Sequence, residues 1–145
     1  MKNNFREEFA REQAIIHHFE HSGSEAEKES ARADMRSLQA EIEAKGKTYV
    51  RIYSLYSASL AVGNTCIDIC EGLHDSDVPR LVNDLRHYGI DRFTFSSGYS
   101  GAAEIAWLFE ANGCKLEGLA EINSQHRDIY TGEYQKVHAF LFSVS

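Results

Sequence analysis

Proline is almost missing from this chain: Pro79 is the only one among 145 residues. That excludes a proline-rich linker and lets long helices run without interruption. Tryptophan also occurs once, at Trp107. Cysteine is limited to Cys66, Cys70 and Cys114, an odd set that excludes a disulfide-stapled scaffold and points to a reducing compartment. No apolar run approaches the roughly 20 residues that span a bilayer. The opening Met1-Lys2-Asn3-Asn4-Phe5-Arg6 has no apolar stretch of the kind a secretory leader carries. The expectation is a cytoplasmic protein with no membrane partner. Positive charge is scarce too. Fifteen Lys and Arg against 22 Asp and Glu leave a formal charge of -7. A generic nucleic-acid binder needs a basic stripe, so no direct nucleic-acid partner is expected. A basic protein partner stays open.

Apolar residues are plentiful: hydrophobic types make up 43% and aromatics 11%, enough for a core in a chain the size of one domain. Phe5, Phe9, Ile16 and Phe19 mark a first helix over 4–21, closed by Ser22-Gly23. Ser24 then caps a second helix, and Glu27 completes a capping-box pattern. Met35, Leu38, Ile42, Tyr49, Ile52 and Tyr56 follow spacings of three and four across Gly46, a narrow seam suited to helix-on-helix packing. Gly46 either kinks this helix or splits it. The expectation is an extended arm over 25–61 that mediates association, most simply as a homodimer, with Met35, Leu38 and Ile42 as the interaction residues. The alternative is that the first helix folds back and covers the seam.

Beyond Gly63 the pattern changes. Ile67 and Ile69 suggest a short strand. Val78, Leu81, Val82 and Leu85 make an amphipathic helix that tolerates Pro79 in its first turn and stops at Gly89. Phe93 and Phe95 alternate in a strand over 91–97. Residues 101–112 read as a helix apolar nearly all round, hence buried on two sides with Trp107 between layers, where Trp107→Ala would cost about 3–5 kcal/mol. Residues 115–124 and 136–144 read as two last strands joined by a loose hairpin loop. The second of them is apolar on both faces and should be covered on both. The fold class is therefore α/β (α+β): a small mixed sheet of three to four strands with packed helices. A helical arm over 1–63 and a core over 64–145 pack as one domain. Strand 91–97 should lie parallel beside 115–124, and 136–144 antiparallel to 115–124.

Chemistry-bearing patterns are few. Ser96, Ser97, Gly98, Ser100 and Gly101 link a strand to a helix start, where backbone N–H groups and the helix dipole suit an anion such as phosphate. The plainer reading makes Ser100 an N-cap. Gly98-Tyr99-Ser100-Gly101-Ala102 falls one residue short of a nucleophile elbow, and only Asp128 and His138 follow in the order a triad needs. His17-His18-Phe19-Glu20-His21 matches H-x-x-E-H, but no third ligand is apparent, so no metal and no cofactor is expected. Cys66 and Cys70 are four apart, not C-x-x-C, and with Cys114 read as small buried hydrophobes.

The stretch from Gly89-Ile90-Asp91-Arg92-Phe93-Thr94-Phe95-Ser96-Ser97-Gly98-Tyr99-Ser100 through Trp107-Leu108-Phe109, Asn112-Gly113-Cys114 and Leu116-Glu117-Gly118-Leu119 resembles a family of small α/β proteins. Its members are functionally uncharacterised proteins of gut Firmicutes, often encoded near mobile elements. The likeness covers roughly residues 46–145. It implies an accessory protein and assigns no activity, cofactor or site. Two function classes follow. One is an interaction or regulatory module without catalysis. The other is a small-ligand (anion or phosphate) binder, or a small enzyme, using the turn at 96–101.

Overall fold

The computed structural model describes residues 3–98 and 100–145. Its elements are α1 (Phe5–Glu20), α2 (Glu25–Glu43), α3 (Lys47–Ala61), β1 (Ile67–Ile69), α4 (Asp77–His87), β2 (Arg92–Phe95), α5 (Ala102–Ala111), β3 (Cys114–Arg127) and β4 (Tyr134–Val144). The fold is α/β, with a mixed four-stranded sheet, as the pattern predicts. The chain divides into two compact units, Asn3–Tyr53 and Ser54–Ser145, with the border inside α3.

In the first unit α1 and α2 form a helical hairpin. Ser24 caps α2 by accepting the Glu27 N–H, and Glu27 reaches back to the Gly23 N–H. The second helix does not run through to residue 61 as an extended arm. It stops at Glu43, and Gly46 takes φ +105, a conformation that glycine adopts without a Cβ penalty, before α3 begins. Leu38 and Ile42 are buried within the chain and Met35 is half-buried. The Phe5 ring lies 4.9 Å from that of Tyr49. One charge is enclosed with them: the buried Glu8 carboxylate accepts from Lys45 Nζ at 2.8 Å and from the Tyr49 hydroxyl. An Arg11–Glu41 ion pair joins α1 to α2 nearer the surface.

In the second unit the strand order is β1-β2-β4-β3. β1 and β2 are parallel, and β4 is antiparallel to both its neighbours. The expected antiparallel pairing of the last two strands is present. The expected pairing of β2 with β3 is not, because β4 lies between them. The physical reason is in the side chains. β4 is apolar on both faces and takes a central place, whereas β3 carries Lys115, Glu117 and Glu121 and lies at an edge.

One sheet face holds Phe93, Phe95 and Phe142, and α5 lays Phe109 on it, with ring separations of 4.9, 5.3 and 5.3 Å respectively. α4 buries Val78, Leu81, Val82 and Leu85. Of α5 only Ile105 and Phe109 are buried. Trp107 is 74% exposed, so the double burial expected for this helix is overturned. An all-round apolar helix needs a second layer to bury it, and within the described residues of this unit none covers the Trp107 side of α5. β4 is covered only in part as well: Ala139 and Phe142 are buried on opposite faces, but Phe140 is exposed. The opposite sheet face carries Asp68, Thr94 and Leu141, and Ser59 in the second half of α3 binds the Asp68 backbone N–H. The β3–β4 loop is ordered rather than loose. Asp128 accepts from the amides of Tyr130 and Thr131, and its own amide bonds to Glu133.

Candidate functional site

The five residues of the serine turn do not converge. Tyr99 lies outside the described residues. Ser97, Ser100 and Gly101 line an open hollow of about 360 Å³ with Gly72, Leu73 and His74 at the start of α5. The N-cap of α5 is Gly101, not Ser100, and it brings no capping side chain. Gly98 is exposed and lines no cavity with them. The triad candidates are engaged elsewhere: Asp128 organises its own hairpin, and His138 is exposed on β4 opposite Glu121. His21 Nδ1 pairs with the His17 carbonyl at 2.9 Å. Among the described residues no group of three or more His, Cys, Asp or Glu side chains could hold a metal.

Ser96 faces a different cavity, a cleft of about 280 Å³ on the α3 side of the sheet. The carboxyl ends of the parallel strands β1 and β2 open into it, the position where open α/β sheets take ligands. Ser96 Oγ donates to Asp68 Oδ2 at 2.6 Å, and Thr94 Oγ1 donates to Asp68 Oδ1 at 2.7 Å. Thr94 and Ser59 are buried polar residues. Burial raises the Asp68 pKa above the ordinary carboxylate range, with the two hydroxyl bonds working against it. Asn64 and Asn123 close one wall: Asn64 Nδ2 donates to the Asn123 carbonyl, and Asn123 N–H donates to Asn64 Oδ1, each at 2.9 Å. Leu55, Ala58, Val62 and Val137 add apolar side chains to the lining, and Ser124 and Gln125 add polar ones. Cys70 and His126 also line this cleft. Cys70 is exposed and Cys66 half-buried, so of the three thiols only Cys114 is the buried residue expected. Although the residue is exposed, partial desolvation of its sulfur, with the Asp68 charge, raises the Cys70 pKa, the opposite of what an activated nucleophile needs.

The other sheet face bears an apolar groove of about 260 Å³, lined by Ala103, Trp107, Glu110, Leu116, Phe140 and other α5 and β4 residues. Its chemistry comes from a register detail. Leu116 pairs with Phe142 and Leu119 with Phe140, because a bulge at Glu117 absorbs one residue between them. Leu116 and Leu119 therefore share a face despite their odd spacing, and Leu119 is 80% exposed. Residues 51–144 match the family described as a domain of unknown function (DUF7698). The chain belongs to the DUF7698 family. The match covers both the cleft and the groove and leaves α1 and α2 outside, close to the span of the resemblance seen in the sequence. No curated protein and no solved structure matches the chain. The cleft residues that sequence patterns missed are Asp68, Ser59, Asn64 and Asn123, which four separate segments supply. The available signal was a polar residue at the inward position of Ile67-Asp68-Ile69 and of Phe93-Thr94-Phe95.

Proposed function

We propose that this protein is a non-catalytic interaction module that docks a protein partner in the groove between α5 and the β3–β4 hairpin. The observation that carries the reading is the exposed Trp107, which lines the groove with Leu116 and Phe140, while the exposed Leu119 pairs with Phe140. Contiguous exposed apolar surface of this kind marks binding sites, and tryptophan is a frequent anchor at their centres. The partner segment is apolar with basic flanks. Glu104 lies one helical turn before Trp107, Glu110 lines the groove, Glu117 stands exposed in the bulge, and α5 carries no Lys or Arg. An accessory role of this sort fits the resemblance to small proteins encoded near mobile elements. Leu38 and Ile42 are buried within the chain, so the docking surface proposed lies on α5 and not on the seam of α2.

The single tryptophan reports directly. A partner recovered from the native host with wild-type protein should shift Trp107 emission to the blue and shield it from acrylamide. Trp107→Ser should fold normally and recover none of it. Equal recovery by Trp107→Ser would overturn the reading. Sedimentation over a concentration series decides whether the partner is a second copy of this chain.

A second reading rests on the hollow at the start of α5. Helix N-terminal amides, Ser97, Ser100 and His74 there suit a phosphate-like anion.

A further inference from the structure

We propose that the cleft between α3 and the sheet binds a small organic cation: a primary amine whose ammonium group sits on Asp68 and whose apolar body lies against Leu55, Ala58, Val62 and Val137. The site is independent of the docking groove, because it uses the opposite sheet face. Three observations carry it.

The first is an uncompensated charge. Asp68 is a half-buried carboxylate in a cavity whose lining has no Lys or Arg and one imidazole, His126, which forms no ion pair with it. Among the described residues no cation forms an ion pair with it, and Lys136 is committed to Asn123 Oδ1. A carboxylate taken from water without a positive partner is costly. An apolar residue at the centre of β1 would avoid that cost.

The second is the state of the carboxylate. Ser96 and Thr94 each donate to one oxygen, which orients the group and leaves acceptor capacity on both oxygens. One acceptor position remains on each oxygen for a cationic donor. A compact ammonium with rotatable donors fits. A metal ion would need further ligands, and no suitable group exists among the described residues.

The third is the mixed lining of the cavity. Asp68, Ser96, Ser59, Asn64 and Asn123 bring polar groups, and Leu55, Ala58, Val62 and Val137 bring apolar ones to the same cleft. At about 280 Å³ the cleft lies at the small end of ligand pockets. It suits an amine with a short aliphatic or single-ring body.

Three compounds with one skeleton test the idea on the full chain: isopentylamine, 3-methylbutan-1-ol and 3-methylbutanoate. The readout is amide chemical shift in two-dimensional NMR at neutral pH. The amine should move the resonances of Asp68, Ser96 and Val137 in a saturable way. It should bind at least about tenfold tighter than the alcohol, and the carboxylate should not bind. Asp68→Asn preserves the shape and should weaken the amine at least about tenfold. Ala58→Leu adds bulk to the apolar lining, keeps Asp68, and should weaken it too, so the test survives if Asp68→Asn fails to fold. Trp107→Ser should leave the titration unchanged, which separates this site from the groove. The proposal is overturned if no compound saturates, if the alcohol or carboxylate matches the amine, or if a folded Asp68→Asn or Ala58→Leu binds the amine as wild type does.

Discussion

Phe109→Ala and Trp107→Ala, two truncations two residues apart on α5, separate burial from mere apolarity. Phe109 is fully buried, with three aromatic rings within 5.3 Å. Truncating it removes the transfer energy of the ring and leaves a cavity that the surrounding rings cannot close, a loss of about 3–5 kcal/mol. Trp107 is 74% exposed, so only about a quarter of its surface is covered. A quarter of a ~250 Å² side chain at ~25 cal/mol per Å² is at most about 1.6 kcal/mol. Alanine returns about 0.5 kcal/mol of that through its better helix propensity. The net cost of Trp107→Ala is therefore about 1 kcal/mol. Urea unfolding followed by far-UV circular dichroism measures both, since Trp107→Ala removes the only tryptophan. With a slope of about 2 kcal/mol per molar urea, Phe109→Ala should lower the midpoint by about 2 M and Trp107→Ala by about 0.5 M. Equal shifts would refute the placement of α5, and with it the groove.

The Glu8 cluster predicts an alkaline dependence. The Glu8 hydrogen bond raises the Lys45 pKa, and burial followed by the same Glu8 bond raises that of Tyr49. Both folded values lie above the unfolded ones. Their stabilisation is therefore complete below about pH 10 and is lost as pH rises through the folded values. Glu8→Gln should flatten that loss in urea titrations from pH 8 to 11, and profiles parallel to wild type would contradict the assignment. For the hollow at the start of α5, millimolar phosphate or sulfate should raise the melting temperature of wild type. That rise should shrink in Ser97→Ala, and an unchanged melt in wild type would leave Gly101 a simple helix start.

Local signals in the sequence were readable because local physics decides them. Val78, Leu81, Val82 and Leu85 mark α4, and Ser24 with Glu27 marks the start of α2. The mixed α/β class followed from the switch between periods. Long-range choices were not readable. β4 entered between β2 and β3 because it needs ladder bonds on both sides, a property of the assembled sheet. The apolar stripe through Trp107 looks the same in sequence whether another layer covers it or it stays open to a partner. The cleft was hidden for another reason. Asp68, Ser59, Asn64 and Asn123 have no characteristic spacing, and only the fold brings them to one cavity. The sequence pattern assigns Ser96 to the turn that follows it, whereas its hydroxyl serves Asp68.

An open strand edge next to exposed apolar side chains is the arrangement that templates fibrils, and β3 has both. The surplus residue Glu117 interrupts the template. It breaks the register of the strand and coincides with a capped amide, since Glu110 Oε1 accepts the Leu116 N–H at 3.3 Å. The exposed apolar side chains and the strand edge are thus separate features of one surface. A flat strand adding at this end of β3 would meet that irregular register rather than a free ladder.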